Sequence, residues 1–212
     1  PDIGVAKGSA IAATKAAVDL IGGIKSVVKK GQRVLIKPNM SFPRSPEQAS
    51  NTHPDVVKTV AAMCKDAGAS KVMILDHTLG SGKMCVRASG IGPALETIDK
   101  NMVHAINNAS FYKEVTLSKA KSLTTTDVAK EALKADVLIA VPVAKSHSAT
   151  GVSLSMKGMM GLIYDRAVMH RMDLNETIVD LVTLLRADLT IVDGTRVLST
   201  GGPQGPGKVL KK

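Results

Sequence analysis

The chain has 212 residues, 44% hydrophobic and 22% charged, which suits one folded domain with a sizeable core and excludes a disordered polymer. Aromatic residues make up 2%, with no Trp, so the core has to be aliphatic with ten methionines filling gaps, and no base-stacking platform for single strands is available. The formal net charge of +10 favours anionic partners, but the basic residues are scattered, which fits small anions better than nucleic acid.

In chain order, "IGVAKG" (3–8) reads as a first strand. "SAIAATKAAVDLIGGI" follows as a helix, with Ser9 as N-cap, Ile11, Val18 and Ile21 on one face, and Gly22-Gly23 as its stop. "RVLIKPN" (33–39) is a strand closed by Pro38. The clearest helix is "PDVVKTVAAMCKDAGA" (54–69), where Val56, Val57, Val60, Ala61 and Cys64 recur at helical spacing. Asn51 or Thr52 is the expected cap, and Pro54 suits the first turn. "KVMILDH" (71–77) is the next strand.

Glycines punctuate the start of the less regular stretch 79–124, which is expected to hold a helix near 94–107 and a strand near 113–118 and to form an insertion. "TDVAKEALKA" (126–135) reads as a helix, "DVLIAVP" (136–142) as a strand, "NETIVDLVTLLRA" (175–187) as a capped helix and "DLTIVDG" (188–194) as the last strand. The closing "GGPQGPG" is a loop. A doubly wound domain would continue beyond it, so a single domain over 1–212 truncated at its C-terminus is one expectation and a frayed tail the other.

Continuous Val/Ile/Leu strands separated by helices predict an α/β fold, a mostly parallel sheet covered on both faces in three Rossmann-like layers. Ligands of such folds sit beyond the carboxyl ends of the strands. Here those ends read Lys37-Pro38-Asn39, Asp76-His77, Lys145-Ser146-His147 and Asp193-Gly194-Thr195. That four of them end in ionisable side chains is the main argument for a site.

Lys145 and His147 are two apart just past a strand, so an extended backbone points both the same way. The lysine favours a neutral imidazole, suited to a general base; the alternative is a solvated loop. Lys157, in "SLSMKGMMGLI", is a cation among apolar neighbours that either snorkels to water or is held over a ligand as base, nucleophile or anion clamp. Lys37 and Asn39 offer a phosphate or carboxylate contact, or an ordinary turn. His53 precedes the helix start at Pro54, beside free N–H groups that favour anions, or simply supports the cap. Asp76 and Asp193 could bind a cation, orient a histidine or cap a turn. His170, between Arg166 and Arg171, belongs to a basic loop that could close over a ligand.

No histidine pair has a metal spacing, and "GSG" and "GGPQGPG" match neither a Walker loop nor a dinucleotide fingerprint. No metal is therefore assigned and the cofactor is unknown. Cys64 and Cys85 make neither a disulfide framework nor a four-cysteine cluster set. No apolar run approaches the roughly 18 residues of a membrane span. The cytoplasm is the expected location, although the chain opens at Pro1, which is compatible with a removed leader.

"VLIKPNMSF", "NTHPDVV", "VMILDHT", "VPVAKSHSATGVSLSMKGMMGLI" and "LTIVDGTRVLSTGGPQGPG", in this order, resemble the bacterial and archaeal family catalogued as domain of unknown function 362. The resemblance implies polar positions at Lys37, Asn39, Thr52, His53, Asp76, Lys145, His147, Lys157 and Asp193. Some members carry ferredoxin-type cysteine clusters or twin-arginine signals, and neither is present here. Where relatives often read Lys-Asn, this chain has Lys157-Gly158. The family has no settled reaction. The expectation is a protein that binds a small anionic metabolite or cofactor, with His147, Lys145 and Lys157 as catalytic candidates. One alternative is a non-catalytic redox or iron–sulfur-associated module with a partner protein; the other is a basic nucleic-acid-binding domain.

Overall fold

The structure is a computed structural model that describes residues 1–211; Lys212 lies outside them. Residues 1–7 form no strand. Ile3 and Val5 are 79% and 81% exposed, because the segment runs beside a helix, not a sheet edge, and a Cβ at Gly4 would meet Ala17 and Leu20. That helix, α1 (Ala10–Leu20), starts at Ser9, whose hydroxyl accepts the Ala12 N–H. Val18 enters the core while Ile11 faces out. Gly22 and Gly23, both at positive φ, turn the chain into the short α2 (Ile24–Val27).

Strand β1 (Arg33–Pro38) leads to α3 (Pro54–Asp66), whose cap is His53: its Nδ1 accepts the Asp55 N–H at 3.1 Å. Asn51 and Thr52 cannot cap it, since their side chains are bonded to Phe42 and Arg44 and to Val141. Strand β2 (Lys71–Asp76) follows, then α4 (Gly82–Ala88), α5 (Ile91–Glu96) and β3 (Val103–Ala105). The helix expected over 94–107 therefore stops at Glu96. Residues 103–105 pair in parallel with β2, which supplies backbone partners that outweigh local helix propensity.

Strand β4 (Tyr112–Thr116) pairs antiparallel with β5 (Thr125–Ala129), so the helix expected over 126–135 is replaced by a strand and a turn. Thr125, Thr126 and Val128 are β-branched and meet a cross-strand partner each. Strand β6 (Val137–Val141) is buried throughout and runs through Pro142 into β7 (Val143–His147) and its partner β8 (Gly151–Ser153). The remaining elements are α6 (Ser155–Gly158), α7 (Ala167–His170), α8 (Leu174–Leu184), β9 (Leu189–Thr190), β10 (Asp193–Leu198) and β11 (Val209–Lys211). The Gly-Pro loop thus joins two antiparallel strands, β10 and β11, rather than ending the fold.

Five strands make one parallel sheet in the order β3-β2-β1-β6-β9. Val34, Ile36, Ile74 and Ile139 face the core under α1, α3 and α5, while Leu35, Leu75 and Leu138 face a second core with α8 and the β4–β5 pair. Each of these aliphatic side chains stabilises the fold by roughly 1.5–3 kcal/mol on burial. This is the expected α/β arrangement of a parallel sheet flanked by helices. A second sheet, β11-β10-β7-β8, stands on its carboxyl edge. Two chain passes cross between the sheets side by side. Pro142 has no N–H to continue the ladder, but its carbonyl accepts the Asp193 N–H, and the Val143 N–H goes to Asn39 Oδ1 at 3.0 Å. The corner between the sheets opens into a cleft.

Candidate functional site

Lys37 and Asp76 end neighbouring strands, and their side chains meet: Lys37 Nζ lies 3.0 Å from Asp76 Oδ1 and donates to Pro38 O at 2.6 Å. Asp76 Oδ2 accepts the Met40 N–H at 2.7 Å and the Ser41 hydroxyl at 2.9 Å. Both residues are buried, so each charge has exchanged water for a fixed partner. Gly161 closes over the pair. A Cβ there would come within 2.8 Å of the Lys37 nitrogen and closer still to the carboxylate, so only glycine lets the backbone approach.

Along β7, Val143, Lys145 and His147 are buried while Ala144 and Ser146 are less so, the period-two pattern that turns Lys145 and His147 to one side. Lys145 Nζ donates to Ser50 O at 2.6 Å and Pro203 O at 3.2 Å, and lies 5.3 Å from the Phe42 ring centroid. Burial pushes its amine down to about 7; Asp76 opposes this, and Lys37 and Lys157 reinforce it. His147 is pushed down to about 4 by burial and by Lys157 and Lys145, so its ring is neutral at pH 7. Its Nδ1 takes the Ala149 N–H at 3.1 Å, which puts the proton of the neutral ring on Nε2. The free nitrogen of His147 is a donor, and Lys145 is the residue that can offer a lone pair.

Lys157, on α6, is pushed down to about 8 by burial, Arg166 and Lys37. Arg166 donates to the His77 carbonyl at 2.6 Å, and His170 is held below the ordinary histidine range by burial, Lys157 and Arg166. Among the described residues no carboxylate oxygen lies within 4.0 Å of Lys145, Lys157 or Arg166.

Lys37, Asn39, Asp76, Lys145, His147 and Lys157 all line one cavity of about 390 Å³, together with Arg166 and His170. Thr52, His53 and Asp193 do not. Asp193 accepts the His53 N–H at 2.8 Å on Oδ2, which also faces Arg196 at 3.4 Å, and Thr195 on Oδ1. Thr52 Oγ1 donates to Val141 O and accepts the Asn39 N–H. These three residues tie the start of α3 to the sheet edge and hold Asn39, the wall of the cavity, in place.

Sequence reasoning assigned no role to Ser41, Phe42, Ser50, Gly161 or Pro203. Ser50 and Pro203 contribute only carbonyl oxygens, which no residue type announces. Cys64 is a core hydrophobe whose thiol burial pushes up to about 12. Among the described residues no three His, Cys, Asp or Glu side chains converge as a metal-holding group. No helix there is long and apolar enough to cross a membrane.

The thylakoid-associated protein sll1697 of Synechocystis is 29% identical over 204 residues, covering 92% of this chain. This chain spans 62% of that relative's length. The lactate racemase apoprotein of Thermoanaerobacterium thermosaccharolyticum matches in fold with a TM-score of 0.58 at 14% identity, over 92% of this chain and 50% of the racemase. At that identity the likeness concerns the α/β fold alone. A family model described as a domain of unknown function (DUF362) matches residues 34–211, from the first strand of the parallel sheet to the last strand of the second, and the chain belongs to that family.

Proposed function

We propose that the cavity binds a small anionic metabolite through Lys145, Lys157 and Arg166, with the Lys37–Asp76 pair as its floor and His147 donating from Nε2. The carrying observation is the imbalance of charge: three cations share one cavity without a carboxylate in reach, and the carboxylate that is present is taken by Lys37. Lys145 is buried and Lys157 and Arg166 are half-buried, so each has given up water without gaining a counter-charge, and an anion relieves that cost. The volume of about 390 Å³ suits a metabolite rather than a polymer. A small carboxylate is also what the racemase's name describes, which agrees with this class of ligand.

Thermal unfolding with inorganic phosphate and with lactate, against chloride at equal ionic strength, tests the reading. At about 100 times Kd a specific anion stabilises by roughly 2.7 kcal/mol, about 5–10 °C for a chain of this size. Lys157→Met should abolish the shift. Equal shifts in parent and variant would rule the reading out.

A further inference from the structure

The three lysines of the cavity are not equivalent. Lys37 is tied to Asp76, and Lys157 is only partly buried on a four-residue helix. Lys145 is 5% exposed, and both of its nitrogen's hydrogen bonds go to backbone carbonyls, those of Ser50 and Pro203. Two N–H bonds are spoken for, and the remaining valence carries either a third proton or a lone pair. With no fixed counter-charge beside it, the buried nitrogen has nothing to hold it as an ion until an anion arrives, so its neutral form is accessible. Its two neutral acceptors are satisfied in full by the two N–H bonds of an amine, while the Phe42 ring favours the ammonium.

We propose that Lys145 is a covalent site, forming an imine with the carbonyl carbon of a small 2-oxo carboxylate whose carboxylate group is held by Lys157 and Arg166. The inference rests on the anion-binding reading and adds the substrate class and a bond. The amine lone pair attacks the carbonyl carbon and the carbonyl π pair moves to oxygen. Proton transfer from nitrogen to oxygen gives a carbinolamine, and loss of water leaves a C=N bond. One amine and one carbonyl become one imine and one water, with no oxidant or reductant consumed. The neutral His147, donor at Nε2, polarises the carbonyl oxygen without itself losing a proton. A protonated imine keeps one N–H. The Ser50 carbonyl, at the shorter contact of 2.6 Å, can retain it, and the 3.2 Å contact to Pro203 is released.

The test is to incubate the intact chain with pyruvate and sodium cyanoborohydride, which reduces an imine to a stable secondary amine, and to map the product by peptide mass. One adduct is expected, on the peptide that carries Lys145. Its formation should accelerate as pH rises from 6 to 8, slow in competing inorganic phosphate, and vanish in Lys145→Met. Mapping on the unaltered chain keeps the result independent of how that variant folds. If phosphate stabilises the protein but no adduct forms, or adducts are spread over surface lysines, the imine is wrong and the anion site stands. If phosphate does not stabilise it, the anion site fails first and the imine with it.

Discussion

Two charged clusters lie along the same carboxyl edge of the parallel sheet, and they differ in how their charges are answered. Around Asp193, the carboxylate is saturated: it accepts from the His53 backbone, from Thr195 twice and faces Arg196. Across β7, in the cavity, Asp76 is answered by Lys37, Met40 and Ser41, but Lys145, Lys157 and Arg166 have no carboxylate. Both clusters look alike in a list of strand ends. What separates them is counter-charge and not partner count: Arg196 faces Asp193 although its buried Nε and Nη1 have no acceptor, whereas Lys145 has two carbonyl acceptors and no carboxylate.

The largest effect expected from breaking this contrast is at Asp76. Asp76→Ala would leave Lys37 buried without its counter-charge and the Met40 N–H without an acceptor. Removing one member of a buried pair costs about 3–5 kcal/mol, which urea unfolding would read as a lower midpoint. A cost under about 1 kcal/mol would mean that Lys37 is not held as an ion. Asp193→Ala is the matching change in the other cluster. Orphaned buried donors cost roughly 1–3 kcal/mol, so stability falls, yet phosphate should still raise the melting temperature by the parental amount. If it lost that shift as Lys157→Met does, the two clusters would be one site.

The sheet was readable because its strands are runs of Val, Ile and Leu, and the placement of Lys145 and His147 followed from the two-residue period of β7. What failed was set by distant partners. "KEALKA" has the composition of a helix, but the chain just before it is claimed by β4, and 126–129 is strand. Asp193 ends a strand as Asp76 does and takes the turn-capping alternative, accepting the Thr195 N–H, but its other partner, the His53 backbone, lies 140 positions away, a pairing that no local pattern reveals. His53 itself became the cap of α3 because Asn51 and Thr52 were already engaged.

Protonation sharpens the comparison, because only the cavity cluster holds unanswered lysines close to their titration range. An anion prefers the ammonium form, and the Lys145 amine is pushed down to about 7. Below that pH Lys145 is mostly ammonium. Above it, binding has to draw a proton from solvent, so the Kd of sulfate, whose own charge does not change in this range, should rise by up to about tenfold per pH unit for this one proton. Lys157, at about 8, steepens the loss once it titrates too. Calorimetry in two buffers of different ionisation enthalpy would register the proton uptake. Affinity unchanged from pH 6 to 9 would show that the lysines are not what holds the anion.

The smallest expected effect is at Lys157. Lys157 raises the local potential felt by Lys145, His147 and His170, whose titrations are all lowered by it. Lys157→Met keeps the apolar stem against its neighbours while removing that repulsion. Because the residue is only partly buried, water already screens much of its charge, and the gain is on the order of 1 kcal/mol or less. The unliganded variant should therefore melt at the parental temperature or a few degrees above it, although it has lost the anion response. A structural cation does the reverse, since removing it from a satisfied pair lowers stability. If Lys157→Met destabilised the empty protein by more than about 1 kcal/mol, Lys157 would belong with the Asp193 cluster as part of the scaffold, and the cavity would have one fewer cation for a ligand to answer.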